Sequence, residues 1–256
     1  MTYSTIILEK KDRIAKITLN RPNAMNAMNS LLKQELAVAL DEVEHDEGID
    51  VVILTGAGRA FCAGLDLKET GQSLEIITFP GVWDRIRNFD KPTIAAVNGY
   101  AITGGFEIAL SCDIILASEN AMFADTHARV GIFPGGGITQ LLPRLVGIKK
   151  AKELSFTGNY MNAQEALQFG LVNRVVPPEK LEQAAEALAK DIMSNDQVAV
   201  RKIKKIIDRG EGMPIESAIT LEQFEHLLFH QTHTAAEVER RRKGVVERGR
   251  EQAKKS

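Results

Sequence analysis

The stretch Lys91–Ala117 (KPTIAAVNGYAITGGFEIALSCDIILA) constrains the fold more than any other part of the chain. Two short apolar runs within it, Thr93–Val97 and Asp113–Ala117, have the composition of buried β-strands. A glycine turn ends the first run, and Gly104-Gly105 then opens a segment of helical character, Phe106–Ser111. A strand, a glycine-rich turn, a helix and a second strand in this order predict an α/β fold.

The helix predicted after Gly104-Gly105 has two features of a reaction centre. A helix that begins on glycines leaves free backbone N–H groups and the positive end of its dipole facing whatever lies above it. Such a position suits an oxygen that gains negative charge during a reaction. Glu107 adds a carboxylate to the same apolar turn, and buried carboxylates are uncommon unless they are paired or used. Close packing at the glycines and a salt bridge to Glu107 would explain the same residues, so this stretch alone leaves both interpretations open.

Composition and charge limit the classes of protein that fit the chain. Its 256 residues are 44% apolar and 26% charged, typical of a soluble globular protein that is one large domain or a core with an appendage. The formal net charge of −2 argues against a dedicated nucleic-acid surface. No apolar run is long enough to cross a bilayer, and the first residues lack a signal or transit pattern. Cys62 and Cys112 have neither zinc-site nor disulfide-scaffold spacing, so we expect a reducing, cytoplasmic location.

Patterns before Lys91 predict strands and a helix of the same α/β class. Apolar runs predict strands over Thr5–Glu9, Arg13–Leu19 and Asp50–Thr55. Asn29 is the expected cap of a helix. The apolar stripe of this helix is Leu32, Leu36, Leu40 and Val43.

Beyond the central stretch, the chain is predicted to be mainly helical. Gly56–Gly64 is predicted to be a long turn, and Lys68–Asp90 to be helical in its second half. The helices predicted downstream are Lys149–Phe156, Ala163–Phe169, Pro178–Met193, Gln197–Arg209 and Pro214–Glu247. A helical C-terminal third suggests an appended subdomain or an oligomer surface.

Several common motifs do not fit the sequence. The dinucleotide-binding pattern G-x-G-x-x-G begins at Gly56-Ala57-Gly58, but Phe61 stands where its last glycine should be. The sequence contains no phosphate-binding loop ending in Gly-Lys-Ser/Thr and no G-x-S-x-G elbow. His226 and His230 are four residues apart without further metal ligands nearby, and the basic run Arg240–Lys243 is typical of a solvated helix face.

Four ordered motifs resemble those of a known family. They are RPNAMNA at Arg21–Ala27, RAFCAGLDLK at Arg59–Lys68, NGYAITGGFEIA at Asn98–Ala109 with Cys112-Asp113, and GIFPGGGITQLLPRLVG at Gly131–Gly147. In their order and spacing they resemble the enoyl-CoA hydratase/isomerase (crotonase) superfamily, from about residue 5 to residue 176.

The resemblance implies a fold and an assembly. The fold would be α/β, with a crotonase-like core of repeated ββα units over residues 1–195 and a helical trimerisation region over residues 196–256. The partners would be an acyl-CoA thioester substrate and other copies of the chain, in a homotrimer or a dimer of trimers. The resemblance implies no metal and no organic cofactor, while the charge and the lack of a long apolar run argue against a nucleic-acid or membrane partner.

The resemblance also implies a site. The oxyanion hole of the family, two backbone N–H groups, maps to Leu65 and Gly104, and its first catalytic glutamate maps to Glu107. The positions that correspond to its coenzyme A-binding residues are Ala24, Met25, Ala63, Asp66, Leu67 and Gly135.

The chain departs from the family at the second catalytic glutamate, whose position is held by His127. Under one hypothesis, a neutral imidazole still binds the reacting water or passes a proton. Under the other, hydration is impaired and the enolate serves double-bond migration, decarboxylation or carbon–carbon bond chemistry. Asp125 would face the same side of an extended segment and orient His127 or replace it. Thr103 replaces the first glycine of the G-G-G run, and Phe106 adds bulk beside Glu107.

The leading prediction is a hydratase that adds water to a 2-enoyl-CoA thioester or removes it, with Glu107 as principal acid/base and His127 second. A Δ3–Δ2 enoyl-CoA isomerase, or another enolate-based lyase or decarboxylase, is the alternative within the family. A non-catalytic acyl-CoA- or RNA-binding homologue would explain His127 and the basic run, although the net charge speaks against RNA. A Clp-type serine peptidase would need a nucleophilic serine beside the glycine loop, and no serine fits that position.

Overall fold

A six-stranded, mostly parallel sheet organises the first part of the chain in the computed structural model, which describes residues 2–70, 81–231 and 234–253. In spatial order its strands are β1 (Ile6–Lys11), β2 (Ile14–Leu19), β3 (Val51–Gly56), β5 (Thr93–Val97), β7 (Ile114–Ser118) and β10 (Arg174–Val176). The first pair is antiparallel and the other neighbours are parallel.

A second sheet is made of short strands that alternate along the chain with strands of the first sheet. Its strands are β4 (Ala60–Cys62), β6 (Tyr100–Ile102), β8 (Met122–Ala124) and β9 (Met161–Asn162). The first three run parallel, and β9 pairs antiparallel with β8. Each of β3, β5 and β7 is followed by a strand of this second sheet, so the chain repeatedly places one strand in each sheet.

Helices complete these repeats. The first five are α1 (Ser30–Glu44), α2 (Leu67–Thr70), α3 (Val82–Arg87), α4 (Gly104–Ser111) and α5 (His127–Val130). The pair β5 and β6 leads into α4, and the pair β7 and β8 leads into α5, which gives the ββα repeat. The predicted α/β fold with repeated ββα units is confirmed.

Both faces of the central strands β3, β5 and β7 are buried, which explains their continuous apolar sequences. In β3, Val52 and Leu54 join the larger core, while Val51 and Ile53 join a second one. The second core is covered by a helix, α9, at Leu181–Met193. Side chains alternate between faces along a strand, so one apolar run serves two cores.

The first helix forms as the sequence predicts. The Asn29 side chain accepts a hydrogen bond from the Leu32 N–H at 2.9 Å, which caps the helix at Ser30. All four residues of the predicted stripe are fully buried against the larger core.

Gly105 allows the helix that carries Glu107 to approach the second sheet. A β-carbon at Gly105 would stand 2.0 Å from the Cys62 carbonyl oxygen at the end of β4, which is far inside van der Waals contact. Because only glycine fits, α4 lies directly against the strand that leads to Leu65, and the two loops of the predicted oxyanion hole are brought together.

The remaining helices fill most of the rest of the chain. They are α6 (Ile138–Val146), α7 (Ile148–Thr157), α8 (Ala163–Gln168), α9, α10 (Gln197–Gly210), α11 (Ile215–His230) and α12 (Ala235–Ala253). The chain divides into two compact units, Met1–Arg201 and Lys202–Ser256. Within the second unit, Lys202 on α10 forms an ion pair with Glu225 on α11 at 2.8 Å. Among the residues that the structure describes, no helix has both the length and the apolar character needed to cross a membrane.

Some element predictions are wrong, for local reasons. The predicted turn Gly56–Gly64 contains β4, and the glycine turn after β5 contains β6, because strands of three residues are too short to show a periodic pattern. The sequence pattern also misses α6. The long helix predicted over Pro214–Glu247 is divided into α11 and α12. The second half of Lys68–Asp90 is helical as predicted, in α3, and residues 71–80 lie outside the described residues.

Candidate active site

A pocket of about 300 Å³ opens between the loops that follow β4, β6 and β8. Seven of the predicted site residues line it: Ala63, Leu65, Leu67, Gly104, Glu107, His127 and Gly135. Trp83, Thr103, Thr126 and Phe133 are also in its wall. The topology therefore brings together residues from three ββα repeats at one cleft.

Glu107 lies in the first turn of α4 and is 2% exposed. Its Oε1 accepts hydrogen bonds from the backbone N–H of Gly136 at 2.8 Å and, more weakly, of Ile138 at 3.4 Å. Burial raises the pKa of Glu107, and the opposing effects of His127 and of these two amides do not cancel the rise. The carboxyl therefore takes up a proton more readily than an exposed glutamate.

His127 begins α5 and directs the two nitrogens of its ring to two carboxyl groups. Nδ1 is 2.7 Å from Asp125 Oδ1, and Nε2 is 3.8 Å from Glu107 Oε2. An ionised carboxylate only accepts hydrogen bonds, so the contact with Asp125 assigns the imidazole proton to Nδ1. Nε2 is then an acceptor that faces Glu107.

Asp125 is buried and is held in its ionised form. Burial by itself would raise the pKa of Asp125, but hydrogen bonds from His127 and Ser155 outweigh that effect and lower it. The carboxylate therefore fixes the imidazole tautomer and stabilises the imidazolium when His127 gains a proton.

The gap between Glu107 and His127 is suited to a water molecule. Their facing atoms are 3.8 Å apart, too far for a direct hydrogen bond and near enough for one water to form hydrogen bonds with both. Oε1 is occupied by the Gly136 amide, so Oε2 is the atom that takes part. The pair can therefore hold a small nucleophile and exchange protons with it.

Two backbone amides are available on the opposite wall. Leu65 forms a parallel bridge with Met28, in which Gly64 and Asp66 make the two hydrogen bonds, so the Leu65 N–H points away from Met28. Gly104 is the first residue of α4, where the N–H has no partner within the helix. The two loops touch, since a β-carbon on Gly64 would be 3.3 Å from the Gly104 nitrogen. They can polarise a carbonyl oxygen while Glu107 and His127 act on the carbons beside it.

Two residues that the sequence analysis missed hold these groups in place. Trp83 donates its Nε1–H to the Gly104 carbonyl oxygen at 2.9 Å and packs against the Gly104 α-carbon. Gly136 lies so close to Glu107 that a β-carbon would be 2.7 Å from Oε2. Trp83 is the only tryptophan of the chain, and its rarity was the one feature of the sequence that could have pointed to it. Gly136 is one of three successive glycines, and the sequence does not say which of them meets Glu107.

Three of the predicted coenzyme A-binding residues, Ala24, Met25 and Asp66, do not line the pocket. The Met25 carbonyl accepts the Ala63 N–H at 3.0 Å, and the Asp66 carboxylate pairs with Arg21 at 2.9 Å. Their binding role stays a prediction.

Two expectations about the neighbours of Glu107 and His127 need correction. Asp125 and His127 do touch, but through a turn at Thr126 that starts α5 rather than along an extended segment. Phe106 adds no bulk to the pocket, because its ring is fully buried against Phe123 with the ring centroids 5.3 Å apart.

Comparison with known proteins gives a consistent result. The family model described as enoyl-CoA hydratase/isomerase matches residues 9–255. The chain is 44% identical over 229 residues to the short-chain-enoyl-CoA hydratase of Clostridium acetobutylicum, covering 87% of this chain and 88% of the relative. It is 40% identical over 229 residues to the crotonyl-CoA hydratase of Syntrophomonas wolfei, with the same coverage of 87% and 88%. A crystal structure of enoyl-CoA hydratase from Bacillus anthracis superposes with a TM-score of 0.88 at 36% identity, covering 94% of this chain and 96% of that one.

The burial of Glu107 predicts that Glu107→Gln stabilises the fold at neutral pH. The pKa of this carboxyl is higher in the folded than in the unfolded chain, so the folded state loses stability as the pH rises through the folded pKa. A neutral glutamine avoids that loss and keeps an oxygen for the Gly136 N–H. The gain in melting temperature should be smallest below about pH 4, near the unfolded pKa of glutamate, and should grow toward pH 8.

Thermal unfolding followed by circular dichroism at a series of pH values measures this difference. Glu119→Gln, at an exposed glutamate, is the matched control and should show no such growth with pH. A gain for Glu107→Gln that is the same at every pH would contradict the explanation by ionisation.

Proposed function

The chain belongs to the enoyl-CoA hydratase/isomerase family, and from this membership we propose that it adds water to the double bond of short-chain 2-enoyl-CoA thioesters, and removes it in reverse. The observation that carries the proposal is the pair of proton-accepting atoms, Glu107 Oε2 and His127 Nε2, at 3.8 Å in a pocket with two backbone donors. The names of the relatives from Clostridium and Syntrophomonas support a short acyl chain.

The thioester carbonyl oxygen would accept hydrogen bonds from the N–H groups of Leu65 and Gly104. As the nucleophile adds to C3, the electrons of the C2–C3 double bond move toward this oxygen, which gains negative charge. Fixed backbone donors stabilise that charge without reorganising, and losing one typically raises the barrier by about 3–4 kcal/mol. Trp83 supports this function because its hydrogen bond holds the Gly104 peptide in position.

The water would lie between Glu107 and His127. Its oxygen bonds to C3, and one of its protons goes to Nε2 of His127, which is unprotonated because Nδ1 carries the ring proton. C2 takes a proton from Oε2 of Glu107, whose raised pKa favours the protonated acid at the start of the step. A proton returned from His127 to Glu107 restores the resting enzyme, and no other reactant is needed.

The Asp125–His127 pair would replace the second glutamate of the family without changing the charge. A neutral imidazole bound to an ionised carboxylate has a net charge of −1, the same as one glutamate. When His127 accepts the proton of the water, Asp125 stabilises the resulting imidazolium at 2.7 Å. Residues Ala24, Met25, Ala63, Asp66, Leu67 and Gly135 are proposed to hold the coenzyme A part of the substrate, with no metal or organic cofactor. The buried thiols of Cys62 and Cys112 support a reducing, cytoplasmic location.

The direct test is hydration of crotonyl-CoA by the purified full-length chain, measured as loss of the enoyl thioester absorbance. Glu107→Gln should reduce turnover by about 10²–10⁴-fold, because it removes the proton that C2 receives. The affinity for butyryl-CoA, measured by calorimetry, should be nearly unchanged. Unchanged turnover in this variant would refute the role of Glu107.

The same assay, applied to variants of His127, distinguishes hydration from isomerisation and decarboxylation. If His127 replaces the second glutamate, the wild type hydrates crotonyl-CoA and His127→Ala loses that activity. Negligible hydration by the wild type, restored in His127→Glu, would overturn the proposal. The search would then move to isomerisation of 3-enoyl-CoA thioesters and to decarboxylation.

Asp125→Asn tests whether Asp125 acts through His127. The amide cannot stabilise an imidazolium, so kcat for hydration should fall about 100-fold. KM should change little, because Asp125 does not line the pocket. Ser155→Ala is the matched control, since it removes a hydrogen bond to Asp125 but keeps the carboxylate beside His127. A fall in kcat no larger than that of Ser155→Ala would leave Asp125 a purely structural residue.

We also propose that the chain forms a homotrimer or a dimer of trimers. Large apolar side chains of α11 are exposed, among them Ile215, Phe224 and Leu227, and exposed apolar surface of this kind is typical of protein interfaces. Light scattering on the full-length chain should give a mass of three or six copies of the 28.2 kDa chain. A monomer at micromolar concentration would contradict this assembly.

A further inference from the structure

Two threonine hydroxyls lie in the wall of the pocket next to the proposed catalytic groups. Thr103 directly precedes Gly104, and Thr126 directly precedes His127. Their Oγ1 atoms are 2.7 Å apart, and both residues are half-buried and line the pocket. The proposed mechanism uses neither hydroxyl.

The hydroxyl pair has one hydrogen-bond donor to spare. Each threonine has one hydroxyl proton, and the bond between them uses only one of the two. Within residues 2–70, 81–231 and 234–253, no other hydrogen bond involves either hydroxyl. The second proton and several lone pairs are therefore available to an atom in the pocket.

The backbone at Thr103 shows that the side chain is not there for local stability. Thr103 has φ +54° and ψ −115°, a conformation that suits glycine and is a clear outlier for a β-branched residue. Among the described residues with positive φ other than glycine, Thr103 is the only β-branched one. Strained residues of this kind concentrate at functional sites.

The hydroxyl contact is also not needed to join the two loops. The Thr103 N–H already donates to the Ala124 carbonyl at 2.8 Å, so the turn after β6 is attached to the end of β8 through the backbone. Glycine at position 103 would keep this bond and relieve the strain. What threonine adds is a hydroxyl beside the reacting atoms.

We propose that Thr103 and Thr126 form a subsite for an oxygen substituent on the acyl chain, so that the enzyme prefers 2-enoyl-CoA thioesters that carry a hydroxyl near the double bond. This inference rests on the proposed hydration. The reacting water is the less suitable occupant, because Glu107 and His127 already hold it in the proposed mechanism. A further donor would compete for the lone pairs that attack C3. A hydroxyl on the substrate, in contrast, both donates to and accepts from the pair.

The test compares two substrates of nearly equal shape, trans-4-hydroxybut-2-enoyl-CoA and trans-pent-2-enoyl-CoA, which differ by a hydroxyl in place of a methyl. The wild type should prefer the hydroxylated thioester in kcat/KM by about tenfold or more, because the second substrate leaves the hydroxyl pair without its partner. Thr103→Val and Thr126→Val keep the shape of the side chain and should abolish this preference. Thr103→Ser keeps the hydroxyl and should retain the preference for the hydroxylated thioester.

The ratio between the two substrates cancels any general effect of a substitution on folding or on the chemical step. A wild type without a preference, or valine variants that keep it, would overturn the proposal. Valine variants that lose activity equally on both substrates would also overturn it, and would assign the hydroxyls to the reacting water. Hydration of crotonyl-CoA by the wild type is the separate check, since its absence would refute the proposed function rather than the subsite.

Discussion

The burial of one acidic side chain beside a histidine is the constraint on which the rest of the site depends. The proposed reaction needs Glu107 to stay inside the fold and still exchange protons, and its surroundings hold one carboxyl oxygen and leave the other facing His127. The Gly136 amide holds Oε1, and the lack of a side chain at Gly136 leaves room for Oε2. Arg87 donates to the Gly136 carbonyl at 3.5 Å, which attaches this loop to α3. The site is therefore held by contacts among α3, α4 and the loop at Gly136.

The contact with Asp125 explains how a histidine could serve at the position where the family pattern implies a glutamate. An imidazole alone would leave the site short of one negative charge and free to adopt either tautomer. Asp125 supplies the charge and selects the tautomer with one contact, and Ser155 helps to keep that carboxylate ionised. The departure from the family pattern at His127 is thus supported by the contact with Asp125, and the imidazole still presents an unprotonated nitrogen to Glu107.

Local sequence patterns predicted the elements in which apolar residues repeat regularly, and failed where an element is short or lacks such a repeat. The cap at Asn29 and the apolar stripe of α1 were correct because a helix of this length repeats its signal several times. The strands β4 and β6 were missed because each has only three residues and is stabilised by pairing with the other rather than by its own composition. Asp125 and His127 were expected to touch, and they do, but their geometry came from a helix start that the sequence did not indicate.

By itself the sequence determined the family and the α/β fold, because motifs in fixed order identify both, and it predicted Leu65, Gly104, Glu107 and His127 as the chemical groups of the site. Only the tertiary structure decided how these groups are held. The contacts from Trp83 to Gly104, from Gly136 to Glu107 and between Thr103 and Thr126 join residues 21, 29 and 23 positions apart. Contacts between residues so far apart in the sequence depend on how the two sheets and their helices pack. No local periodicity contains that information, so the 3.8 Å gap between Glu107 and His127 and the spare hydroxyl beside it could be found only in three dimensions.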